Sequence, residues 1–140
     1  MSLNHSLQLG EPTIDRQHDE LLLSFDRLRH TPAPVSDEHT LELLTTLSQQ
    51  IYHHFECEEG LMRDMELPAA MLVEHKAAHH AILEGLTQLH LDLMKGRPVS
   101  SDELLTQASA WVLGHLVEYD LTLRPYVRHP LPPTPQPNEP

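Results

Sequence analysis

The sequence predicts an all-α protein: an antiparallel up-down-up-down four-helix bundle with an N-terminal arm and a Pro-rich C-terminal tail. Leu dominates the apolar residues and aromatics make up only 4% of the chain, a composition that favours helices over strands. Four long stretches have helical character, and breaks at Thr31-Pro32-Ala33-Pro34, Pro68 and Gly96–Pro98 separate them. These breaks are short, and short connections make successive helices antiparallel neighbours.

Residues 1–13 form the arm, ending at Pro12-Thr13. The bundle occupies residues 14–124. Its first helix is expected from about Ile14 to His30, where Leu21, Leu22, Phe25 and Leu28 recur at three- and four-residue spacing. Ser36 is placed to cap a second helix from about Asp37 to Met65. Pro68 suits the first turn of a third helix over about 69–95. Gly96 and Pro98 end that helix, and Ser100 with Glu103 has the spacing of a capping box for a fourth, from about Ser101 to Leu123. Residues 125–140 hold seven of the twelve prolines and are expected to form an extended, flexible tail.

A chain of 140 residues is the size of one compact domain. Its net charge of −12 argues against binding to a nucleic-acid backbone or an anionic membrane surface. The single cysteine, Cys57, forms no intrachain disulfide and is expected to be a small buried residue; its solitude fits a reducing compartment. The N-terminal MSLNHSLQLGEP lacks the basic start and apolar stretch of a signal peptide. No apolar run approaches the roughly 20 residues needed to cross a bilayer. The expectation is a soluble, cytoplasmic protein.

Five histidines and two carboxylates fall at spacings that suit one metal centre: His18; His54 and Glu58; His75 and His79; His115 and Asp120. A histidine on a helix is usually a surface residue, and twelve of them invite accidental pairings. Here, however, each group lies in a different helix. In an antiparallel bundle, the start of the first helix, the end of the second, the start of the third and the end of the fourth share one level. At about 1.5 Å per residue, every group lies within two or three turns of that end. His54 and Glu58 share a helix face, as do His75 and His79. His115 and Asp120 are five apart, about 140° around an ideal helix, so they reach a centre from two sides or the turn widens locally. Imidazole with carboxylate suits zinc, iron, copper or nickel, and seven ligands are too many for one tetrahedral ion but about right for two bridged ions. His5, His30, His39, His53, His80, His90 and His129 fall outside the pattern and are expected at the surface. Leu21, Phe55, Trp111, Val112 and Leu116 flank the set and would wall a dry pocket around it.

The same residues carry a family resemblance. Ile14-Asp15-Arg16-Gln17-His18 resembles the first ligand motif of the hemerythrins, and His54-Phe55-Glu56-Cys57-Glu58-Glu59-Gly60-Leu61-Met62 resembles their HFxxEExxM motif. His75-Lys76-Ala77-Ala78-His79 resembles their HxxxH, and Trp111 through His115 to Asp120 resembles their last motif. The resemblance spans roughly residues 6–124, nearest the prokaryotic bacteriohemerythrins. It implies two non-haem irons. His75, His79 and His115 would hold one, and His18 and His54 the other, which keeps an open position. Glu58, Asp120 and an oxo or hydroxo group would bridge them. It further implies reversible binding of dioxygen at the open position, for storage, delivery or sensing, rather than enzymatic turnover.

The chain departs from that family in two places. Prokaryotic members usually carry a tryptophan in the arm, where this chain has Asn4 and His5. Val112 stands where a larger aliphatic residue is common, which would widen the pocket to small anions or water. Two other functions compete. A ferritin-like di-iron oxidase or peroxidase uses Glu-x-x-His pairs, and the chain has none. A phosphotransfer bundle would need only one exposed histidine, such as His80, and leaves the other spacings without a role. Nothing in the sequence identifies a protein partner.

Overall fold

The computed structural model of the protein describes residues 7–29, 37–97 and 101–127, without the side chains of residues 37–39 and 101. Four α-helices form the bundle: α1 (Pro12–Arg29), α2 (Asp37–Arg63), α3 (Ala69–Met94) and α4 (Ser101–Glu118). A 3-10 helix, Asp120–Tyr126, follows α4. There is no strand among the described residues, and none of their helices is long and apolar enough to cross a membrane.

Helix α1 starts two residues earlier than its apolar pattern implies. Pro12 has the right φ for a first turn and loses no bonded N–H there. The Glu11 side chain accepts a hydrogen bond from the Ile14 N–H at 2.8 Å, satisfying one of the turn's free donors. Asp15 then ties down the arm: its carboxylate accepts from the N–H groups of Leu9 and Gly10 at 2.8 and 3.0 Å. Gly10 makes this turn at φ 95°, where a side chain would be strained. Pro12 and Thr13, expected in the arm, therefore belong to the helix.

Helix α3 ends in a Schellman turn. Arg97 N–H donates to Asp92 C=O at 2.9 Å and Gly96 N–H to Leu93 C=O at 3.0 Å, with Gly96 at φ 80°. The candidate caps Ser36 and Ser100 lie outside the described residues, as do His5, His30, His129 and the side chain of His39.

The main departure from expectation is at the end of α4, which stops at Glu118 instead of Leu123. Pro125 has no N–H to continue an α-helical ladder, and the chain tightens into 3-10 turns. Consequently Pro125, Tyr126 and Val127 are not tail. Tyr126 and Val127 pack against a small apolar cluster, and Arg124 Nε donates to the Gln8 carbonyl at 2.7 Å, joining this segment to the arm. Residues 128–140 lie outside the described set.

Two apolar clusters result. The long core takes Leu21 and Phe25 from α1, Leu44, Leu47, Ile51 and Phe55 from α2, Ile82, Leu86 and Leu89 from α3, and Leu104, Leu105, Ala108 and Val112 from α4. A smaller plug is made by Leu9, Ile14, Met62, Met65 and Leu123. Full burial of such side chains contributes about 1.5–3 kcal/mol each. The two clusters are separate, and buried polar side chains from every helix and from the 3-10 segment lie between them in sequence.

Candidate metal centre

Those polar residues are the seven singled out from the sequence, and all are buried: His18, His54, Glu58, His75, His79, His115 and Asp120. Their heads converge, which brings together the start of α1, the end of α2, the start of α3 and the end of α4. Among the described residues they make two overlapping groups whose ligand atoms lie within 4.8 Å of one another. One is His75, His79 and His115 with both carboxylates; the other is His18 and His54 with the same two carboxylates.

Each carboxylate divides its oxygens between the groups. Glu58 Oε1 lies 3.0 Å from His75 Nε2, 2.7 Å from His79 Nε2 and 3.7 Å from His115 Nε2. Its Oε2 lies 3.8 and 3.9 Å from the Nε2 atoms of His18 and His54. Asp120 repeats the division: Oδ1 is 2.9 and 3.0 Å from His75 and His115, and Oδ2 is 3.0 Å from His18. The five-residue step from His115 to Asp120 is thus resolved by ending the α-helix. Tyr119 N–H makes its last α-type bond, to His115 C=O at 2.8 Å, and Asp120 opens the 3-10 helix. The turn tightens; it does not widen.

Several contacts make little sense without a cation. His18 Nε2, Glu58 Oε2 and Asp120 Oδ1 are buried without a well-directed hydrogen bond, close as His18, His75 and His115 come to Asp120, although each poorly satisfied buried polar atom costs about 1–3 kcal/mol. His75 and His115 aim their Nε2 atoms at each other, 3.1 Å apart. His79 faces Glu59 through Nδ1 at 2.8 Å and Glu58 through Nε2 at 2.7 Å. Both partners of His79 are carboxylates, which only accept, and an imidazole with a single N–H can satisfy just one of them. Positive charge between these atoms relieves all of these conflicts, and the donor set, imidazole with carboxylate, suits a first-row transition ion.

The electrostatics respond in the same sense. Burial lowers His54, to about 4, more than the nearby carboxylates raise it. Burial also opposes charge on His75 and His115, but hydrogen bonds to Asp120 and Glu58 outweigh it, raising His75 and bringing His115 up to about 9. For Asp120, burial and the Glu58 charge work against ionisation, yet the imidazoles of His115, His18 and His75 hold it down at about 2. Glu58, despite burial, is held well below the usual range by His115, His75 and His79.

A family model, the hemerythrin HHE cation binding domain, matches residues 9–127. The chain belongs to the hemerythrin family. No curated protein and no solved structure matches it. The cluster of histidines and carboxylates accordingly makes it a metal-binding helical protein of that family.

Around this hemerythrin-family centre, the expected flanking residues are placed unequally. Phe55 stacks on His79 and tilts against His54 and His115. Leu21 and Val112 are buried one turn from His18 and His115 along their helices, and Leu116 is buried beside His115 in the chain. Trp111 is only partly buried and covers Gly85 of α3: a Cβ there would lie 2.7 Å from its ring. Cys57 is not the buried residue expected. It is half-exposed, its Sγ 3.7 Å from His53 on the outer face of α2, and belongs to neither group. His53 and His80 are exposed, and His80 pairs with Glu84 at 3.2 Å, away from the centre.

Three neighbours had no assigned role in the sequence reading. Gln17 meets His54 Nδ1 at 2.8 Å, Glu59 meets His79 Nδ1 at 2.8 Å, and the Tyr119 ring lies along His115 at 5.2 Å between centroids. Gln17 and Glu59 each stand next to a ligand inside a quoted motif, the only sequence signal that could have led to them.

Proposed function

We propose that this chain holds two non-haem iron ions and binds dioxygen reversibly, for storage, delivery or sensing. The observation that carries the reading is the division of both carboxylates. Glu58 and Asp120 each turn one oxygen to the His75–His79–His115 group and the other toward the His18–His54 side. That is the arrangement of two bridging ligands. Five neutral imidazoles and two carboxylates leave a ferrous pair near neutrality once a hydroxide is added, and a near-neutral cluster is cheaper to bury than a charged one.

When bound, the ferrous pair supplies the two electrons on which reversible capture of dioxygen draws. The chain's residues do the rest. His75, His79 and His115 would hold one ion, and His18 and His54 would hold the other with one imidazole fewer. Leu21, Phe55, Val112 and Leu116, with Trp111 beyond them, exclude water and bulk protons. Dioxygen and small anions are the partners this pocket admits. The excess of imidazole over carboxylate favours binding over oxidase or peroxidase turnover.

The test is an iron assay with visible spectra of the purified protein, reduced without air and then exposed to it. Two irons per chain, with a band that appears on adding oxygen and fades on removing it, is the expected result. Two irons that convert irreversibly to a ferric spectrum would replace this reading with a redox enzyme. Absence of iron after reconstitution would overturn it.

A further inference from the structure

The two halves of the centre are backed differently from outside. His79, in the three-histidine group, donates Nδ1–H to the Glu59 carboxylate at 2.8 Å. His54, in the two-histidine group, faces the neutral amide oxygen of Gln17 at the same distance. The remaining outward nitrogens of His18 and His115 are buried without a partner. Both backing contacts cross a helix interface, from α1 to α2 and from α2 to α3. A charged acceptor makes the stronger hydrogen bond, roughly twice the neutral one. It also makes the imidazole a more basic ligand through its other nitrogen. Glu59 is 25% exposed and so stays in reach of water, while its partner is 1% exposed.

We propose that Glu59 is a positioning residue that makes the two metal positions unequal: it tightens the His75–His79–His115 position so that this one fills first. The inference rests on the two-ion reading above. Three imidazoles, one of them backed by an anion, compete with two imidazoles, of which one is backed by an amide and one is unbacked. The same two shared carboxylates serve both positions, so the difference comes from the histidines and what stands behind them.

Zinc titration of the full, metal-free chain by calorimetry tests this without any oxygen chemistry. Wild type is expected to take up two ions in two resolved steps. Glu59→Gln keeps an acceptor for Nδ1–H and removes only the charge, and should weaken the first step about tenfold to a hundredfold while changing the second little. Gln17→Glu gives His54 an anionic partner and should tighten the second step, drawing the two together. In proton NMR of the zinc-loaded protein, the low-field Nδ1–H signal of His79 should move upfield in Glu59→Gln while the other imidazole signals hold, which a loss of packing alone would not produce. Two ions bound in wild type with unchanged steps in both variants would overturn the proposal and leave the dinuclear reading standing. Uptake of fewer than two ions would overturn both.

Discussion

Phe55 lies flat against His79, with ring centroids 3.9 Å apart and planes 12° from parallel. The stack fixes the rotation of an imidazole whose two nitrogens must face Glu58 and Glu59 at once. Phe55 is also part of the long core. Phe55→Ala is expected to cost about 3–5 kcal/mol in denaturant unfolding of the metal-free protein. Zinc affinity should fall as well. A stability loss with unaltered affinity would show that the stack does not position His79.

Metal uptake should release protons. In the metal-free protein His115, at about 9, carries its proton at neutral pH and must lose it to coordinate, and His75, raised by Asp120 and Glu58 against the effect of burial, adds to that release. Glu58 and Asp120 are already ionised and release none. Zinc affinity should therefore climb as pH rises toward about 9. Metal-free stability should run the other way over the same window. A group raised from 6.5 to about 9 stabilises the fold fully below 6.5 and ceases to as pH rises through 9. At the acid side, His54 resists protonation down to about 4, and stability should drop as pH falls from 6.5 toward that value. Calorimetry in buffers of different ionisation enthalpy, with thermal melts across pH, checks both. Loading at pH 7 without proton release would contradict the charge assignment.

Gly85 is tied to Trp111. A Cβ at Gly85 would stand 2.7, 3.0 and 3.1 Å from three ring carbons. Alanine gains about 1 kcal/mol of helix propensity, but overpacking against a rigid bicyclic ring costs about 1–3 kcal/mol. Gly85→Ala is expected to lower the melting temperature and shift the emission of this sole tryptophan to the red as the ring is pushed outward. An unchanged spectrum with a higher melting temperature would show that the ring yields freely.

Asp15→Ala strips the Leu9 and Gly10 N–H groups of their acceptor. The expected loss is about 1–3 kcal/mol. Because Leu9 belongs to the plug beside Asp120's own segment, bound metal should also pass faster to a chelator. Chelator kinetics at fixed temperature measure this, and wild-type kinetics in the variant would separate the arm from the centre.

Val112→Leu should slow autoxidation of the oxygenated protein by narrowing the pocket that the smaller side chain leaves open. Equal autoxidation rates in the two proteins would remove Val112 from the control of access.

The helical periods made much of this legible. His54 with Glu58 and His75 with His79 follow the i, i+4 rule, and their neighbours Ile51, Phe55, Ile82 and Leu86 confirm which faces turn inward. Asp120 was found by spacing, but how it reaches the centre was not. That depends on the α-helix giving way to 3-10 turns ahead of Pro125, a choice between two helical geometries that residue spacing does not express. The start of the tail was misplaced for a related reason. Proline content marks where regular ladders fail, and Tyr126 and Val127 pack without one. Gln17 and Glu59 were hidden because their contacts join residues 37 and 20 apart across helix interfaces, where no local period links them.

The separation of plug from long core sets how the molecule responds to an empty centre. Without ions, the layer between them is a set of buried charges and incompletely paired nitrogens. Cooperativity should then break at that layer. The arm, the ends of α2 and α4, and the 3-10 segment would open together, while the long core beyond Phe55 stays shut. Bound metal would act in this sense as a clasp between the two pieces, and occupancy of the centre would become readable from outside in the amide exchange of Leu9 and Leu123.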